Sequence, residues 1–306
     1  MIRAQSRSHD VLQLRSGRGR SIAQHGELFQ GQIEDESNQS HRCLVSLPCP
    51  AMYSEATFHP QDNDALRIIP SHKRKARTAA ELALAHLNAS HLGGDVFISS
   101  SVPEAKGCGS STADCIAAAI AAADSINTHL SDEELAHLVV EAEVASDNFM
   151  FDRAVLFAHR EGVALENYTK KLPKLEVLGI DTSPEGQVET LKYPPAEYSS
   201  RQLQSFYTLT SALRRAVNQH DIQLLGRVAT ASANINQEFL PKPMFTEIRH
   251  IAEHAGALGV AVAHSGTVLS ILLDPTDEML ERKIEQLELE LSVLGISQIL
   301  RFQTQS

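Results

Sequence analysis

The order of its segments predicts an α+β fold for this chain of 306 residues. Short runs rich in apolar and β-branched residues come first, and segments with helical spacing occupy much of residues 200–256. The chain then closes on a strand, a helix and a strand. Strands therefore dominate the first part and helices the middle, which is typical of the α+β class.

The first 160 residues are predicted to contain a strand-rich start followed by alternating helices and strands. Residues 1–18 are polar and basic, and we expect a disordered lead-in. Strands are predicted at residues 21–33, 42–47, 52–59 and 95–100, and helices at 73–88, 111–126 and 132–145. Ser131 and Glu134 form a capping-box pattern at the start of the last of these helices.

The remainder of the chain is predicted to hold four strands, four helices and a turn-rich stretch. Strands are predicted at residues 175–180, 260–264, 267–273 and 297–303, with a further short strand within 186–195. Helices are predicted at 200–219, 221–236, 244–256 and 277–292. A soft boundary at 160–195 divides the chain into a domain of residues 19–175 and a domain of residues 176–306.

Composition excludes several classes of function. The net charge of −11 argues against a general nucleic-acid-binding surface, and no apolar run approaches the roughly 20 residues of a membrane helix. The N-terminus lacks the apolar core of a secretory signal, so we expect a cytoplasmic protein, with a transit peptide as the weaker alternative. The four cysteines show no CxxC pairing and are expected to be free thiols.

The strongest chemical signal is the loop Pro-Glu-Ala-Lys-Gly-Cys-Gly-Ser-Ser-Thr-Ala at residues 103–113. Gly107 and Gly109 allow the backbone to approach a ligand closely, so that successive N–H groups can form an anion-binding nest. The helix that follows adds its positive N-terminal end. The pattern is neither GxxxxGK[ST] nor GxGxxG, and an ordinary helix cap at Ser110 is the alternative.

This loop resembles the second motif of the GHMP kinases, PxxxGLGSSAA, with Cys108 in the usual leucine position. Residues 21–31, SIAQHGELFQG, resemble the first motif of the L-threonine kinases of cobalamin synthesis, PAxCGELxQG, although the proline and cysteine are replaced. Residues 259–267, GVAVAHSGT, resemble the third family motif. Residues 143–162 resemble that branch's EPTDxxM…LFDHRxG stretch, with one extra residue before Asp147 and Ala158 in place of Asp.

The resemblance implies a two-lobed GHMP-kinase fold, with an N-terminal ribosomal-protein-like βαβ lobe and a C-terminal ferredoxin-like lobe. It implies ATP and Mg²⁺ as cofactors. The implied nucleotide-binding residues are Pro103, Lys106, Gly107, Cys108, Gly109, Ser110, Ser111 and Thr112. Ser111 and Glu143 are the implied Mg²⁺ ligands, with Glu141 as an alternative to Glu143.

Asp147 is the implied catalytic residue, either as a base or as a group that positions the acceptor. Alternatively, Ser-Asp-Asn at 146–148 is only a turn. The implied substrate-binding residues are His25, Gly26, Glu27, Asn148, His264, Ser265 and Gly266. Arg42, Arg153 and Arg160 are further candidates for a carboxylate or phosphate clamp.

The sequence therefore predicts an ATP-dependent kinase that phosphorylates a hydroxyl group, with L-threonine as the first choice of acceptor. Homoserine or another small alcohol is the alternative within the family. The lack of tryptophan, which often forms a flat sugar platform, argues weakly against sugars. A catalytically degenerate regulator that binds a nucleotide or metabolite is the alternative of a different class. The expected partners are small molecules, and the sequence leaves the oligomeric state open.

Overall fold

The computed structural model describes residues 14–63, 65–186 and 196–304. The predicted disordered lead-in is corrected at its C-terminal end, because strand β1 (Gly17–Glu34) already begins at Gly17. Residues 1–13 of that lead-in lie outside the described residues. So does nearly all of segment 186–195, for which the sequence predicts a short strand.

Up to residue 170, the described residues form six strands and three helices. They are β1, β2 (Ser40–Gln61), β3 (Leu66–Ile69), α1 (Arg74–His86), β4 (Gly93–Ser100), α2 (Ser110–Ser125), α3 (Asp132–Glu143), β5 (Val155–Ala158) and β6 (Val163–Asn167). The predicted strands at 42–47 and 52–59 are one continuous strand, β2. Strands β3, β5 and β6 are not predicted, because four or five residues are too few to show a period. The capping box of Ser131 and Glu134 at α3 is confirmed.

The second part forms four strands and four helices within the described residues. They are β7 (Glu176–Asp181), α4 (Ser200–Gln219), α5 (Ile222–Asn236), α6 (Phe245–His254), β8 (Gly259–Val262), β9 (Val268–Leu273), α7 (Leu280–Val293) and β10 (Ile299–Gln303). Each predicted helix of this part is present to within three residues at either end. The predicted pairing of the two strands around Ser265 and Gly266 is confirmed as the antiparallel pair β8–β9.

One mixed sheet connects both parts of the molecule, in the order β10-β7-β9-β8-β1-β2-β4-β3, with β5 and β6 attached through β2. The link between the parts is β1, which pairs with β2 along its length and with β8 where Glu27 lies opposite Val262. The residues of β1 are therefore positioned by both parts of the chain.

Helix α2 lies against β1 at very short distance because small residues face each other. A Cβ added at Gly17 or Gly19 would overlap the carbonyl oxygens of Ala121 and Ala117, respectively. Helix α2 is rich in alanine, and most of its residues are buried. This packing brings the loop that precedes α2 onto the middle of β1, where the Gln24 N–H donates to the Cys108 carbonyl over 3.2 Å.

Buried apolar side chains form three clusters. One lies within residues 44–157, one within residues 178–296, and a third draws on both parts of the chain. This distribution supports the predicted domain division near residue 175, which stays a prediction because the third cluster crosses it.

All four cysteines are free and buried, as expected from the sequence. Within the part of the chain that the structure describes, we find no helix that is long and apolar enough to cross a membrane.

Candidate active site

A cavity of about 720 Å³ lies between the loop before α2, strand β1 and the turn that joins β8 to β9. It brings together most of the residues that the sequence selects. Seven of the eight predicted nucleotide-binding residues line it, as do Glu27, Glu143, Asp147, His264 and Ser265. These residues come from four separate parts of the chain, so the motifs converge on one place.

The loop before α2 has the backbone of an anion-binding turn. Gly107 and Gly109 have φ angles of 85° and 70°, in the left-handed region that favours glycine. Gly109, rather than Ser110, caps α2, and no side chain bonds to the first N–H groups of the helix in this part of the described chain. Those N–H groups and the positive end of the helix dipole are therefore available to an anion in the cavity.

The turn between β8 and β9 packs directly against this loop. The Thr267 N–H donates to the Lys106 carbonyl over 2.9 Å. A Cβ at Gly266 would overlap Gly107 and that same carbonyl, so only glycine allows the two segments to touch. Gly266, predicted to bind substrate, does not line the cavity. It instead allows the segment 259–267 to pack closely against the loop 103–113.

Lys106 is the one predicted nucleotide-binding residue that the structure directs elsewhere. Its ammonium donates to the carbonyls of Ser183, Pro184 and Gly186 at 2.6–2.9 Å and pairs with Asp181 at 2.9 Å. With four acceptors around it, this ammonium fastens the turn after β7 to the loop. The sequence could not show this contact, because the turn lies almost 80 residues away.

Glu143 is positioned to hold a cation beside the loop. It is 4% exposed, whereas Glu141 is exposed and does not line the cavity. Glu143 Oε1 is buried and has no hydrogen-bond partner among the described residues, and Oε2 lies 3.6 Å from the Lys75 ammonium. Burial raises the pKa of Glu143, and the Ser111 hydroxyl and the Lys75 charge partly offset that rise.

A carboxylate oxygen without a partner beside a serine hydroxyl is the donor set that a hard cation such as Mg²⁺ prefers. The residues present therefore fit the metal that the family resemblance implies, through Ser111 and Glu143. Because a bound cation would favour the ionised carboxylate, it would also remove the cost of burying Glu143.

Asp147 and Glu27 form a pair of carboxylates joined by a single amide. Gln24 Nε2 donates to Asp147 Oδ1 over 2.9 Å and to Glu27 Oε1 over 3.1 Å. The same nitrogen lies 3.4 Å from the Gly107 carbonyl of the loop before α2. Gln24 thus ties both acids to the loop, and its own Oε1 has no partner within the described ranges.

The surroundings of these acids are unequal. Burial raises the pKa of Asp147 well above its ordinary value, and the charges of Glu27 and Glu143 add to that rise. Glu27 Oε2, in contrast, accepts from the backbone N–H of His264 over 2.9 Å and lies 2.9 Å from His264 Nδ1. His264 therefore fixes the position of the Glu27 side chain, whereas the raised pKa of Asp147 suits it to take up a proton.

Asp147 also lies directly beside the loop. A Cβ placed on Gly109 would lie 2.7 Å from Asp147 Oδ2. The Asp147 N–H donates to Thr112 Oγ1 at the long distance of 3.5 Å, and the Ser146 N–H donates to the His159 carbonyl over 2.8 Å. The turn at 146–148 is thus held against α2 and β5 with its carboxylate in the cavity.

Besides Gly266, three residues predicted to bind substrate do not line the cavity. His25 is 4% exposed and bonds to Ser270 Oγ over 2.8 Å, and its ring lies 6.0 Å from that of Phe302. Gly26, with φ of 88°, allows β1 to approach Val262 of β8. The Asn148 amide accepts from the Ser46 N–H and donates to the Val155 carbonyl.

Two of the three predicted clamp arginines contribute positive charge to the cavity. Arg42 and Arg160 line it, and Arg42 donates to the Ala196 carbonyl over 2.6 Å. His159 also lines the cavity, and burial lowers its pKa to about 3, with the charges of Arg160 and Arg42 adding to that shift. Arg153, the third predicted clamp, is instead bonded to Asp132, Glu133 and Asn167 outside the cavity.

Several lining residues were not selected from the sequence. They are Gln24, Lys75, His159 and Asn236. Gln24 lies within residues 21–31, the segment that resembles the first motif, and that position was the available signal. Nothing local distinguishes Lys75 or Asn236 from ordinary helix residues.

Comparison with known proteins identifies the same family in both parts of the chain. Residues 74–154 match the family described as GHMP kinases N terminal domain, and residues 211–286 match GHMP kinases C terminal. An L-threonine kinase from Salmonella typhimurium strain LT2 is 32% identical over 256 residues, covering 81% of this chain and 80% of that protein.

Two further curated relatives are similar over shorter stretches. An L-threonine kinase from Citrobacter freundii is 36% identical over 60% of this chain and 64% of that protein. A homoserine kinase from Chlorobium phaeobacteroides is 28% identical over 56% of this chain and 57% of that protein.

Solved structures share the fold. A homoserine kinase from Cytophaga hutchinsonii superposes with a TM-score of 0.67 at 16% identity, covering 99% of this chain and 97% of that one. The mevalonate kinase of L. major in complex with R-mevalonate gives a TM-score of 0.65 at 17% identity, covering 96% and 98%. The predicted α+β class and kinase-like fold are confirmed.

Proposed function

The chain belongs to the GHMP kinase family of ATP-dependent kinases that phosphorylate an alcohol group, and we propose that its acceptor is the side-chain hydroxyl of L-threonine. The observation that carries the proposal is a single cavity that joins an anion-binding loop to the carboxylates of Asp147 and Glu27. A zwitterionic amino acid with a hydroxyl group matches that arrangement.

The nucleotide's phosphates bind at the loop. The backbone N–H groups of residues 107–111 and the N-terminus of α2 bind the phosphate oxygens, because both present partial positive charge there. Ser111 and Glu143 would hold Mg²⁺, which supplies neutralising charge to the triphosphate when bound. Lys75, 3.6 Å from Glu143, adds a cation from the start of α1.

The acceptor binds at the carboxylates. Its ammonium group lies against Glu27, whose Oε2 accepts a hydrogen bond from the His264 N–H. Its hydroxyl faces Asp147 Oδ2 beside Gly109. As the hydroxyl oxygen bonds to the γ-phosphorus, the bond from phosphorus to the ADP oxygen breaks and Asp147 takes the hydroxyl proton. We place this reaction in the cytoplasm, where ATP and free amino acids are available.

L-threonine is preferred to homoserine for two reasons. The relatives with 32% and 36% identity are L-threonine kinases, whereas the homoserine kinase is 28% identical over a shorter stretch. Apolar side chains, Leu44, Phe239 and Leu240, also line the cavity and suit the methyl group of threonine.

The test is an acceptor panel with Mg²⁺·ATP and L-threonine, L-homoserine, L-serine or L-allo-threonine. Products are identified by mass spectrometry. We expect O-phospho-L-threonine, with kcat/KM at least tenfold higher than for the other acceptors. A higher kcat/KM for homoserine would overturn the acceptor, and tight ATP binding without turnover of any acceptor would favour the regulator.

A further inference from the structure

Lys75 is a cation of the cavity whose partner depends on what is bound there. It is the second residue of α1, and it lines the cavity together with the loop before α2. Its ammonium lies 3.6 Å from Oε2 of Glu143, the carboxylate that would hold Mg²⁺. That carboxylate is therefore within reach of two cations, one that belongs to the protein and one that arrives with the nucleotide.

The start of α1 is fastened to the loop before α2 by the residue two positions earlier. Lys73 Nζ pairs with Glu104 of the loop at 2.5 Å and with Asp114 Oδ2 of α2 at 2.7 Å. The Asp114 side chain is 3% exposed, and its Oδ1 accepts from the Ser54 hydroxyl over 2.6 Å. Because these contacts fix the backbone, the Lys75 side chain begins at a defined place beside the loop.

The ion pair between Lys75 and Glu143 can be exchanged for another. Its two charged atoms, 3.6 Å apart, are beyond the distance of a hydrogen bond, and the Lys75 side chain is 46% exposed. An ion pair with one partner so exposed adds little to stability. Glu143 Oε1 has no hydrogen-bond partner among the described residues. Lys75 thus compensates the charge of Glu143 only in part.

A divalent cation at Ser111 and Glu143 would change the surroundings of Lys75. Two cations that share one carboxylate repel each other, and the repulsion is stronger where little water is present. The nucleotide offers Lys75 another anion, because its phosphates would bind at residues 107–111 and to the same metal ion. The lysine ammonium has three donors on a flexible four-carbon stem, so it can change partner while α1 stays in place.

Building on the proposed nucleotide and metal sites, we propose that Lys75 exchanges partners when the nucleotide binds. It pairs with Glu143 in the free enzyme, and it pairs with a phosphate oxygen of the nucleotide once Mg²⁺ binds to Glu143. Lys75 therefore opposes binding of a divalent cation alone and favours binding of the cation together with ATP. The exchange couples the two ligands, so that the enzyme takes up Mg²⁺ and ATP as a unit.

The test measures the two ligands separately in Lys75→Met. Mn²⁺ replaces Mg²⁺ for the metal alone, because electron paramagnetic resonance follows its binding to the free enzyme. The Kd for Mn²⁺ should fall about threefold to fivefold, since a competing ion pair is lost. The Kd for Mg²⁺ with adenylyl imidodiphosphate, a non-hydrolysable ATP analogue, should rise at least about tenfold in calorimetry, because a charge-assisted contact with phosphate is lost.

Two variants serve as controls. Arg77→Met removes a cation from the surface of the same helix, where Arg77 pairs with Glu81 at 3.4 Å and does not line the cavity. Both Kd values should stay within about twofold of the wild type in this variant. Lys75→Arg keeps the charge on which both contacts depend, so its Kd values should stay within about threefold.

Opposite shifts of the two Kd values distinguish the exchange from a structural role. A rise of both in Lys75→Met would show that Lys75 merely supports the site, and it would overturn the inference. An unchanged Kd for either ligand contradicts the exchange as well. If the wild type does not bind Mg²⁺ with the analogue, the proposed nucleotide site itself fails. Should Lys75→Met not fold, Lys75→Gln is expected to give the same opposite shifts.

Discussion

Single side chains decide how the reacting groups are held. Gln24 illustrates this, because one amide nitrogen contacts Asp147, Glu27 and the Gly107 carbonyl. The three acceptors fix the orientation of the amide, and Gln24 Oε1 is left facing groups that offer it no hydrogen within the described structure. A ligand N–H or O–H would satisfy this oxygen, so Gln24 also favours an acceptor with donors.

Asp147→Asn separates the two roles that a carboxylate has at this position. A general base contributes roughly 10²–10⁴-fold to rate, so its loss should lower kcat by that factor with little change in the KM for ATP. A carboxylate that only holds an ammonium group would mainly raise the KM for L-threonine. Steady-state kinetics with ATP and L-threonine varied separately distinguishes these results.

Asp152→Asn is the matched control for this variant. Asp152 lies five residues away in the same loop, and its side chain is 91% exposed and paired with Lys171. It should behave as the wild type. Should Asp147→Asn change neither kcat nor KM by more than about threefold, or ~0.7 kcal/mol, Asp147 would be only a turn residue.

At the scale of elements, the site depends on how the loop before α2 fits between its neighbours. Gly109 needs a left-handed backbone, and it also needs empty space, because Asp147 Oδ2 and the Phe149 ring lie where a Cβ would be. These two requirements can be separated experimentally, since Gly256 at the end of α6 has the same φ of 70°, and a Cβ there would meet only the flexible end of the Lys283 side chain, 3.2 Å away.

Gly109→Ala should weaken Mg²⁺·ATP binding by at least tenfold, because the added methyl group displaces Asp147 or the loop. Gly256→Ala introduces the same backbone strain, about 1 kcal/mol, and should lower Tm without changing ATP affinity. Isothermal titration calorimetry of both folded variants measures the difference. Equal ATP affinities would mean that the loop does not bind phosphate through its backbone.

The elements themselves show which features a sequence can predict. Helices of 10–20 residues have a clear apolar period, and the sequence predicts their ends to within three residues. The loop before α2 is recognisable from its glycine and serine residues. Strands β3, β5 and β6 are too short for such a signal. The presence of a residue in a motif does not reveal where its side chain points. His25 bonds to Ser270, 245 residues away, and Lys106 bonds to the turn after β7.

At the scale of the whole molecule, one sheet runs through both parts, and His25 is buried where they meet. Its ring lies against Ser270 of β9 and Phe302 of β10, and a Cβ at Gly179 of β7 would touch it. Burial lowers the pKa of His25 to about 4, with the charge of Asp181 opposing the shift. The junction of the two parts is thus packed around a neutral imidazole.

This burial makes stability depend on pH. Between pH 6.5 and 4 the unfolded chain binds a proton at His25 that the folded protein excludes, so stability should fall as pH falls through that range. From pH 7.5 to 5.0 the loss should be about 2 kcal/mol. In His25→Gln that loss should disappear, because glutamine cannot be protonated there. Urea unfolding at both pH values measures it.

Comparing the variant with the wild type isolates this effect, because the raised pKa values of Asp147 and Glu143 act equally in both proteins. His91→Gln, at an exposed histidine, should keep the wild-type pH dependence. If His25→Gln shows the same loss as the wild type, the neutral histidine is not its source.

The dependence of the phosphate loop on a distant turn has a consequence for synthesis on the ribosome. The Lys106 carbonyl receives its bond from Thr267, and Glu27 of β1 meets Val262. About 160 residues must therefore be added after the loop emerges before it is supported, which takes roughly 8–30 s at elongation rates of about 5–20 residues per second. Throughout that interval the nascent chain exposes an unpaired edge of β1 and an unsupported loop, and it is then most dependent on chaperones.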